Sequence, residues 1–292
     1  MLDRIAFIGF GEAGTAFASR RPPGVGAAAY DIKTDHPSTR AAKLRDYQAA
    51  RVEGRDDASS ALAGAGLALS LVTADQALAA ASACAALLTP GTLWIDMNSV
   101  APDTKRAAAQ AIGAAGGRYV DAALLAPVEP AGLSVPVLVS GPHAAAAAAA
   151  LASLGFAQVQ VLAGEIGAAA AVKMVRSVMV KGLEALTAEC LLAAEAAGVR
   201  EPVAASLSAG GDVAGWAQQA DYNLERMIVH GGRRAAEMEE VAATLVALGI
   251  DPVMSRGSAR WQRRIGALGI APVAGLPAKL AAMLDHGRER AA

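Results

Sequence analysis

Lys173 is the side chain in this sequence best suited to transfer a proton. It lies in a long apolar stretch, residues 165–197, with Arg176 three positions later and Ser177 four positions later. In a helix these spacings place the side chains close together on one face. Only six of the 26 basic residues are lysines, so lysine is not the usual surface cation here. From these residues alone, Lys173 either extends to solvent from an apolar helix or acts as a general acid and base.

A glycine-rich turn forms a second group of residues with a chemical use. The segment Gly9-Phe10-Gly11-Glu12-Ala13-Gly14 follows a strand-like run at 4–9 and opens a helical pattern. In such a turn the first glycine permits the tight bend, the second admits a pyrophosphate, and the third allows close helix–strand packing. The helix N-terminus offers N–H groups and a positive dipole end to phosphates. The six residues 9–14 are therefore predicted to bind a dinucleotide.

Asp31 follows the next strand-like run, residues 26–30, and lies 22 positions after Gly9. An acidic side chain at this point accepts hydrogen bonds from the adenosine ribose hydroxyls. Its charge would repel the additional phosphate of NADP, although Lys33 lies close by in sequence. We expect NAD as the cofactor, with NADP as the second option.

The elements that must position these residues alternate along the first half of the chain. Strand-like runs lie at residues 4–9, 26–30, 67–72, 93–96, 119–123, 135–140 and 159–162, with helical patterns between most of them. This alternation predicts an α/β fold with a doubly wound, mostly parallel sheet of the Rossmann type. Ligands bind beyond the carboxyl ends of such strands. Residues there include Thr73, Asn98, Ser99 and the segment 121–126.

Strand patterns disappear after residue 164. The stretch 165–197 predicts a helix roughly 50 Å long, enough to join two domains. Helices alone are expected beyond it, broken by the glycines Gly210-Gly211, Gly231-Gly232, Gly249 and Gly275. We predict a dinucleotide-binding Rossmann domain at 1–163 and an all-α domain for substrate binding and dimerisation at 164–292.

Composition excludes several classes of function. The 292 residues carry a net charge of −1, which gives no electrostatic reason to expect nucleic acid or an anionic membrane as a partner. The apolar region 63–95 is broken by Pro90-Gly91 and does not resemble a membrane span.

Cys84 and Cys190 are isolated, and no metal-ligand spacing is present, so we expect no metal. The N-terminus lacks the layout of a signal peptide, and we expect a cytoplasmic protein.

This layout resembles the β-hydroxyacid dehydrogenase family, which includes 3-hydroxyisobutyrate and 6-phosphogluconate dehydrogenases. Four stretches carry the resemblance, in the family's order: the glycine turn, Asp96-Met97-Asn98-Ser99 followed by Pro102, the segment Asp121-Ala122-Ala123-Leu124-Leu125, and Gly167 six residues before Lys173. The last three are similar, in that order, to the family's D-x-S-T-x-x-P segment, its substrate-binding D-A-P-V-S-G segment and its catalytic G-x-x-x-x-x-K motif. Beyond Lys173 the chain looks more like a poorly characterised branch with its own helical C-terminal domain.

The resemblance implies that Lys173 is the general acid and base. Its pKa would have to fall from about 10.4, and burial together with the cations Arg176 and Lys181 would lower it. Ser177 replaces the family's usual asparagine and is expected to hold the substrate hydroxyl or orient the lysine. Asn98 and Ser99 are expected to position the nicotinamide and the substrate.

Departures from the family pattern concern the substrate. Leu125 replaces the serine of the D-A-P-V-S-G segment, so the acid group of a substrate would be held by Arg176 or by arginines nearer the C-terminus. His230, expected on a turn before Gly231-Gly232, is either structural or part of the substrate site.

The resemblance therefore predicts an NAD(P)-dependent oxidoreductase that transfers a hydride between nicotinamide and a hydroxy-acid-type substrate, with Lys173 as general acid and base. One alternative is an imine reductase, although relatives of that kind usually replace the lysine. Another is a non-catalytic NAD-binding regulatory protein. The expected partners are a small carboxylic acid and a second copy of the chain, because the long helix offers more apolar surface than one copy can obviously bury.

Overall fold

The structure is a computed structural model that describes residues 4–208 and 213–289. The chain divides into two compact units, and the division falls between Met174 and Val175. The junction lies inside one long helix, α7 (Ala168–Ala196).

The first unit alternates strands and helices. Its strands are β1 (Arg4–Ile8), β2 (Gly26–Tyr30), β3 (Glu53–Gly54), β4 (Leu67–Ser70), β5 (Leu93–Asp96), β6 (Arg118–Leu124), β7 (Val137–Ser140) and β8 (Val159–Val161). Its helices are α1 (Glu12–Ser19), α2 (Pro37–Ala49), α3 (Ala58–Leu62), α4 (Ala77–Ala85), α5 (Pro102–Ala114), α6 (Ala144–Ser153) and the start of α7.

All eight strands form one sheet in the order β3-β2-β1-β4-β5-β6-β7-β8. Every neighbouring pair is parallel except β6 and β7, which are antiparallel. The strand order reverses between β1 and β4, and this is where doubly wound sheets bind ligands. The predicted mostly parallel Rossmann sheet is confirmed.

Successive side chains of the central strands pack into opposite layers, as a strand requires. On β1, Ile5 and Phe7 join one core cluster, whereas Ala6 and Ile8 join the other. Trp94 of β5 is fully buried in the second cluster. Helices thus cover both faces of the sheet, which explains why the buried strands read as continuous apolar runs.

The second unit contains only helices within the residues that the structure describes. After the remainder of α7 come α8 (Arg200–Ser208), α9 (Val213–Ala247), α10 (Val253–Gly266) and α11 (Leu276–Glu289). Its buried core includes Leu191, Leu224, Met227, Ile265 and Leu280. The predicted all-α C-terminal part, joined through a long helix, is confirmed. No helix in the described ranges is long and apolar enough to cross a membrane.

The predicted break at Gly231-Gly232 is wrong, because α9 runs through both residues. A Cβ on Gly231 would lie 2.4 Å from the Gln262 carbonyl oxygen and 2.8 Å from Gly266 Cα. These glycines therefore allow α9 and α10 to pack with their backbones in contact. His230 consequently lies within a helix and not on a turn.

The other glycine predictions have different outcomes. Gly249 and Gly275 have φ angles of 75° and 85° and lie outside the helices, between α9 and α10 and directly before α11. They interrupt the helical pattern as expected. Gly210 and Gly211 lie outside the described residues.

Candidate active site

The glycine turn between β1 and α1 uses its three glycines differently. Gly9 has a φ of 84°, and a Cβ there would lie 2.6 Å from the Leu71 carbonyl oxygen. A Cβ on Gly14 would lie 3.2 Å from both the Gly9 carbonyl oxygen and the Phe10 ring. Gly11, the residue that caps α1, has no atom within 4 Å of its Cβ position. Gly9 and Gly14 thus serve the fold, whereas Gly11 leaves open space in front of the helix.

This open space fits the pyrophosphate of a dinucleotide. The first turn of a helix has N–H groups without intrahelical partners, and they favour an anion. Glu12 is exposed and Ala13 is half-buried, so the α1 N-terminus is accessible. Phe10 can contribute only through its backbone, because its ring is fully buried against Phe7 and Tyr47.

Asp31 follows β2 and contacts the glycine turn directly. Its Oδ2 accepts a hydrogen bond of 2.7 Å from the Phe10 N–H, and its Oδ1 accepts one of 2.9 Å from the Lys33 N–H. The carbonyl oxygen of the same residue, Phe10, accepts a hydrogen bond of 2.6 Å from Lys43 Nζ. The half-buried Asp31 carboxylate is therefore fixed beside the turn, and each of its oxygens has a further lone pair for a ribose hydroxyl.

Two further predicted residues follow central strands β4 and β5. Thr73 is exposed beyond β4. Asn98, beyond β5, is buried and donates from Nδ2 to Ser70 Oγ at 2.9 Å. The Oδ1 of Asn98 is buried and accepts no hydrogen bond among the described residues, which leaves an acceptor for a ligand donor.

Lys173 and Ser99 lie in direct contact. Lys173 Nζ donates a hydrogen bond of 2.5 Å to Ser99 Oγ, and the lysine is half-buried in the second turn of α7. Gly167 makes this approach feasible: its φ is 99°, and a Cβ there would lie 3.0 Å from Pro102 Cβ in the first turn of α5. The start of α7 therefore packs against the segment that follows Ser99.

The remaining predicted residues have different surroundings. Leu125 is half-buried just beyond β6, with its N–H bonded to the Pro136 carbonyl oxygen at 2.9 Å. In the second unit, Arg176 is exposed on α7 and His230 is half-buried on α9. Ser177 is buried and accepts a hydrogen bond of 3.3 Å from Lys181 Nζ.

Lys181, a cation expected to help lower the pKa of Lys173, is itself paired with a carboxylate. Lys181 Nζ lies 2.9 Å from Glu237 Oε2, and both side chains are largely buried. A second buried pair lies nearby along the same helices, where Arg234 Nε donates to Glu184 Oε2 at 3.1 Å. Charged side chains of α7 and α9 thus compensate one another within the helical unit.

Sequence reasoning missed a buried ionic cluster at the end of β5 and the middle of β6. Lys105 of α5 is fully buried and lies 2.9 Å from Asp96 Oδ1 and 3.4 Å from Asp121 Oδ1. Tyr119 donates to Asp96 Oδ2 at 2.8 Å. Burial, and then the Asp96 carboxylate, raise the pKa of Tyr119 well above its usual value, so its hydroxyl stays protonated. The sequence signal was a lysine and two aspartates beside buried strands.

Asp121 belongs to the segment that the resemblance assigned to substrate binding, yet its side chain is fully buried and hydrogen-bonded to the start of α7. No group of three or more His, Cys, Asp or Glu residues in the described ranges is arranged to hold a metal ion.

Comparison with known proteins identifies both parts of the chain. Residues 4–161 match the NAD-binding domain of 6-phosphogluconate dehydrogenase. Residues 194–265 match DUF1932, a domain of unknown function. A search of curated proteins gives no match.

Solved structures match most of the chain, across both of its parts. A conserved hypothetical protein from Sinorhizobium meliloti is 36% identical, with 98% of this chain and 97% of that chain covered and a TM-score of 0.73. The conserved protein MTH1747, described as structurally similar to 3-hydroxyacid dehydrogenases, is 31% identical, with 92% and 100% covered and a TM-score of 0.66.

A 3-hydroxyisobutyrate dehydrogenase from Mycobacterium tuberculosis, solved with L-serine, shares the fold. Its identity is 17%, with 98% and 99% covered and a TM-score of 0.75. The resemblance drawn from the four sequence stretches and the expectation of an NAD(P) cofactor are both confirmed. This chain belongs to the family that carries the NAD-binding domain of 6-phosphogluconate dehydrogenase, joined here to a DUF1932 domain.

Proposed function

We propose that this protein is an NAD(P)-dependent dehydrogenase or reductase that acts on a small hydroxy acid, with Lys173 as general acid and base. The observation that carries the proposal is the 2.5 Å hydrogen bond from Lys173 Nζ to Ser99 Oγ. It joins a lysine to a loop at the carboxyl end of β5, where doubly wound sheets bind their ligands. The family membership gives independent support for nicotinamide chemistry.

A bound nicotinamide cofactor supplies or accepts the hydride. The chain itself must move the proton of the substrate hydroxyl, and Lys173 does so from Nζ, as base during oxidation and as acid during reduction. Ser99 orients the ammonium group and gives the substrate hydroxyl a hydroxyl partner. Asn98, with its unfilled buried oxygen, accepts a hydrogen bond from the ligand.

NAD is proposed as the preferred cofactor because Asp31 is held beside the glycine turn by the Phe10 and Lys33 amides. Its charge favours ribose hydroxyls over a phosphate at the same place. The backbone of residues 9–14 holds the pyrophosphate, and Thr73 lines the nicotinamide side.

The substrate is proposed to be a carboxylic acid with an apolar part. Leu125 takes the place of a serine in the related segment, and this favours an apolar group in the substrate. Arg176 is exposed on α7 and is proposed to attract its carboxylate. Ser177 and His230 complete the proposed set, with Ser177 acting through its neighbours because its side chain is buried.

The first test is a titration with NADH and NADPH, read from quenching of tryptophan fluorescence and from calorimetry. A screen of short-chain hydroxy acids with the preferred oxidised cofactor then detects formation of the reduced nicotinamide. NADH binding followed by turnover of at least one hydroxy acid supports the proposal. Turnover of cyclic imines only would instead favour an imine reductase, and binding without any turnover would favour a regulatory NAD-binding protein.

We also propose that the protein is a homodimer. Val175, Met179, Leu183 and Leu186 of α7 are each between 51% and 64% exposed. Their spacing of four, four and three residues places them along one stripe of the helix. An exposed apolar stripe of this length is unusual on a monomer.

A further inference from the structure

The start of α7 is capped by two side chains that are remote in sequence. The residue directly before the helix is Gly167, which has no side chain that could cap it. Asp121 Oδ2 accepts hydrogen bonds from the N–H groups of Gly167 at 3.1 Å and Ala170 at 3.0 Å. Ser140 Oγ accepts one from the Ala169 N–H at 3.0 Å. Side chains from the sheet therefore accept hydrogen bonds from the first N–H groups of α7, which a capping residue next to the helix would otherwise accept.

Asp121 and Ser140 form a directly opposed pair across the antiparallel strands β6 and β7. Ser140 Oγ also donates to Asp121 Oδ2 at 3.0 Å, and neither residue is exposed to solvent. Opposed residues in a ladder are held at a fixed separation by the backbone. The pair therefore presents its oxygens to α7 from a rigid base.

Lys105 compensates the charge of this cap. Its Nζ lies 3.4 Å from Asp121 Oδ1 and donates to Asp96 Oδ1 at 2.9 Å. Two buried carboxylates need more than one cation or hydrogen-bond donor to offset their desolvation. The N–H groups at the positive end of α7 supply the remaining compensation to Asp121.

The same network reaches both members of the Lys173–Ser99 hydrogen bond. Asp96 Oδ1 accepts a hydrogen bond of 2.9 Å from the N–H of Asn98, the residue directly before Ser99. Asp121 holds the first turn of α7, and Lys173 lies in the next turn. Lys105 bridges the two aspartates. The loop that carries the serine and the helix that carries the lysine are thus anchored to one buried cluster.

We propose that Asp121 and Ser140 are positioning residues for Lys173. By capping α7 from the sheet they fix the first turn of the helix against the loop after β5, and so keep Lys173 Nζ within hydrogen-bond distance of Ser99. The proposal rests on the proposed role of Lys173 in proton transfer. Asp121 touches no substrate in this account, although it opens the segment that resembles a substrate-binding motif.

The test compares Asp121→Ala with Asp121→Asn. Asparagine keeps one oxygen that can accept from Gly167 and Ala170, whereas alanine keeps none. Ser140→Ala is a milder change that removes the acceptor for Ala169 and the hydroxyl that donates to Asp121, but keeps the bonds from Gly167 and Ala170 to Asp121. It serves if the alanine variant at position 121 fails to fold. Asp57→Ala is the matched control, because Asp57 caps α3 in the same unit through the Ser60 N–H at 2.7 Å.

Two readouts are needed. Hydrogen–deuterium exchange of a peptide that spans residues 165–172 is measured on the cofactor-free protein. Steady-state kinetics are measured with the hydroxy acid found in the screen. We expect Asp121→Ala to speed the exchange of this peptide and to lower kcat roughly tenfold to a hundredfold, as small misplacements of a catalytic group do. KM should stay within about threefold of wild type, because substrate contacts are kept.

Asp121→Asn should recover most of the rate and the protection, and Ser140→Ala should lie between the two. Asp57→Ala should change neither quantity. Unchanged exchange at residues 165–172 in Asp121→Ala would overturn the proposal whatever the turnover, as would a loss confined to KM. Absence of turnover in the wild-type protein would contradict the proposed function, and the exchange result is independent of it.

Discussion

Asp31 Oδ2 accepts a hydrogen bond of 2.7 Å from the Phe10 N–H and so links the end of β2 to the glycine turn. The two halves of the proposed nucleotide site, one for the pyrophosphate and one for the ribose, are therefore mechanically coupled. A change at Asp31 can act through its charge or through this hydrogen bond. Two substitutions separate these effects.

Asp31→Asn keeps an oxygen for the Phe10 N–H but removes the negative charge. We expect its preference for NADH over NADPH to fall about tenfold, which corresponds to roughly 1.4 kcal/mol of lost discrimination. Asp31→Ala removes the hydrogen bond as well and should weaken both cofactors. Calorimetric titration of each variant measures the ratio. An unchanged ratio in Asp31→Asn would contradict the assignment of Asp31 to cofactor choice.

Gly9 and Gly11 should respond in opposite ways to substitution. Gly11→Ala places a Cβ in open space, so we expect an unchanged Tm and a loss of NADH affinity of about tenfold or more, since the methyl group meets the pyrophosphate. Gly9→Ala forces an alanine to a φ of 84° and against the Leu71 carbonyl. We expect it to destabilise the fold by about 1–3 kcal/mol. Thermal unfolding measures the stability of both variants, and titration with NADH measures their affinity for the cofactor. Full NADH affinity in Gly11→Ala would contradict the placement of the pyrophosphate against Gly11.

Gly231 and Gly232 provide a matched pair in the helical unit. Gly231→Ala should destabilise the protein by about 1–3 kcal/mol, because its Cβ would collide with the backbone of α10. Gly232 has no atom within 4 Å of its Cβ position. Gly232→Ala should therefore stabilise the protein by about 0.5–1 kcal/mol through helix propensity alone. Urea unfolding measures both changes, and equal effects of the two would contradict the close packing of α9 on α10.

The strands and the α9 helix show which parts of the secondary structure sequence patterns can and cannot predict. The strands Gly26–Tyr30 and Leu93–Asp96 were predicted to the residue, because buried runs between turn residues are local signals. Gly231-Gly232 was mistaken for a break, since the helix that requires a small residue there lies some 35 positions later in the chain. The residues around Gly231 do not indicate which helix packs against it.

The candidate site shows the same division. The contact between Lys173 and Ser99 joins two stretches that the family resemblance had each marked, so their proximity followed once the fold was known. The cap of α7 by Asp121 and Ser140 was missed, because strand pairing brings the two acceptors together and the packing of α7 on the sheet brings the donors to them. The pairing of Lys181 with Glu237 was missed for the same reason, because the two residues lie on different helices.

The α7 stripe should hold two copies of the chain together. We expect sedimentation of the wild-type protein to show a dimer at micromolar concentration, and Met179→Glu combined with Leu183→Glu to give a monomer. Charges in an apolar interface carry a desolvation penalty of several kcal/mol. Leu44→Glu is the control, since Leu44 is 43% exposed on α2 and outside the stripe. A monomeric wild type would contradict the prediction.

The rate of hydride transfer in Lys173→Met, measured in a single turnover with cofactor and hydroxy acid both bound, tests the central claim most directly. Methionine preserves much of the volume of the side chain but has no proton to exchange. The account predicts a fall of about a hundredfold to ten-thousandfold, with NADH affinity unchanged and a smaller loss in Ser99→Ala. Hydride transfer at the wild-type rate in Lys173→Met would show that Lys173 is not the general acid and base.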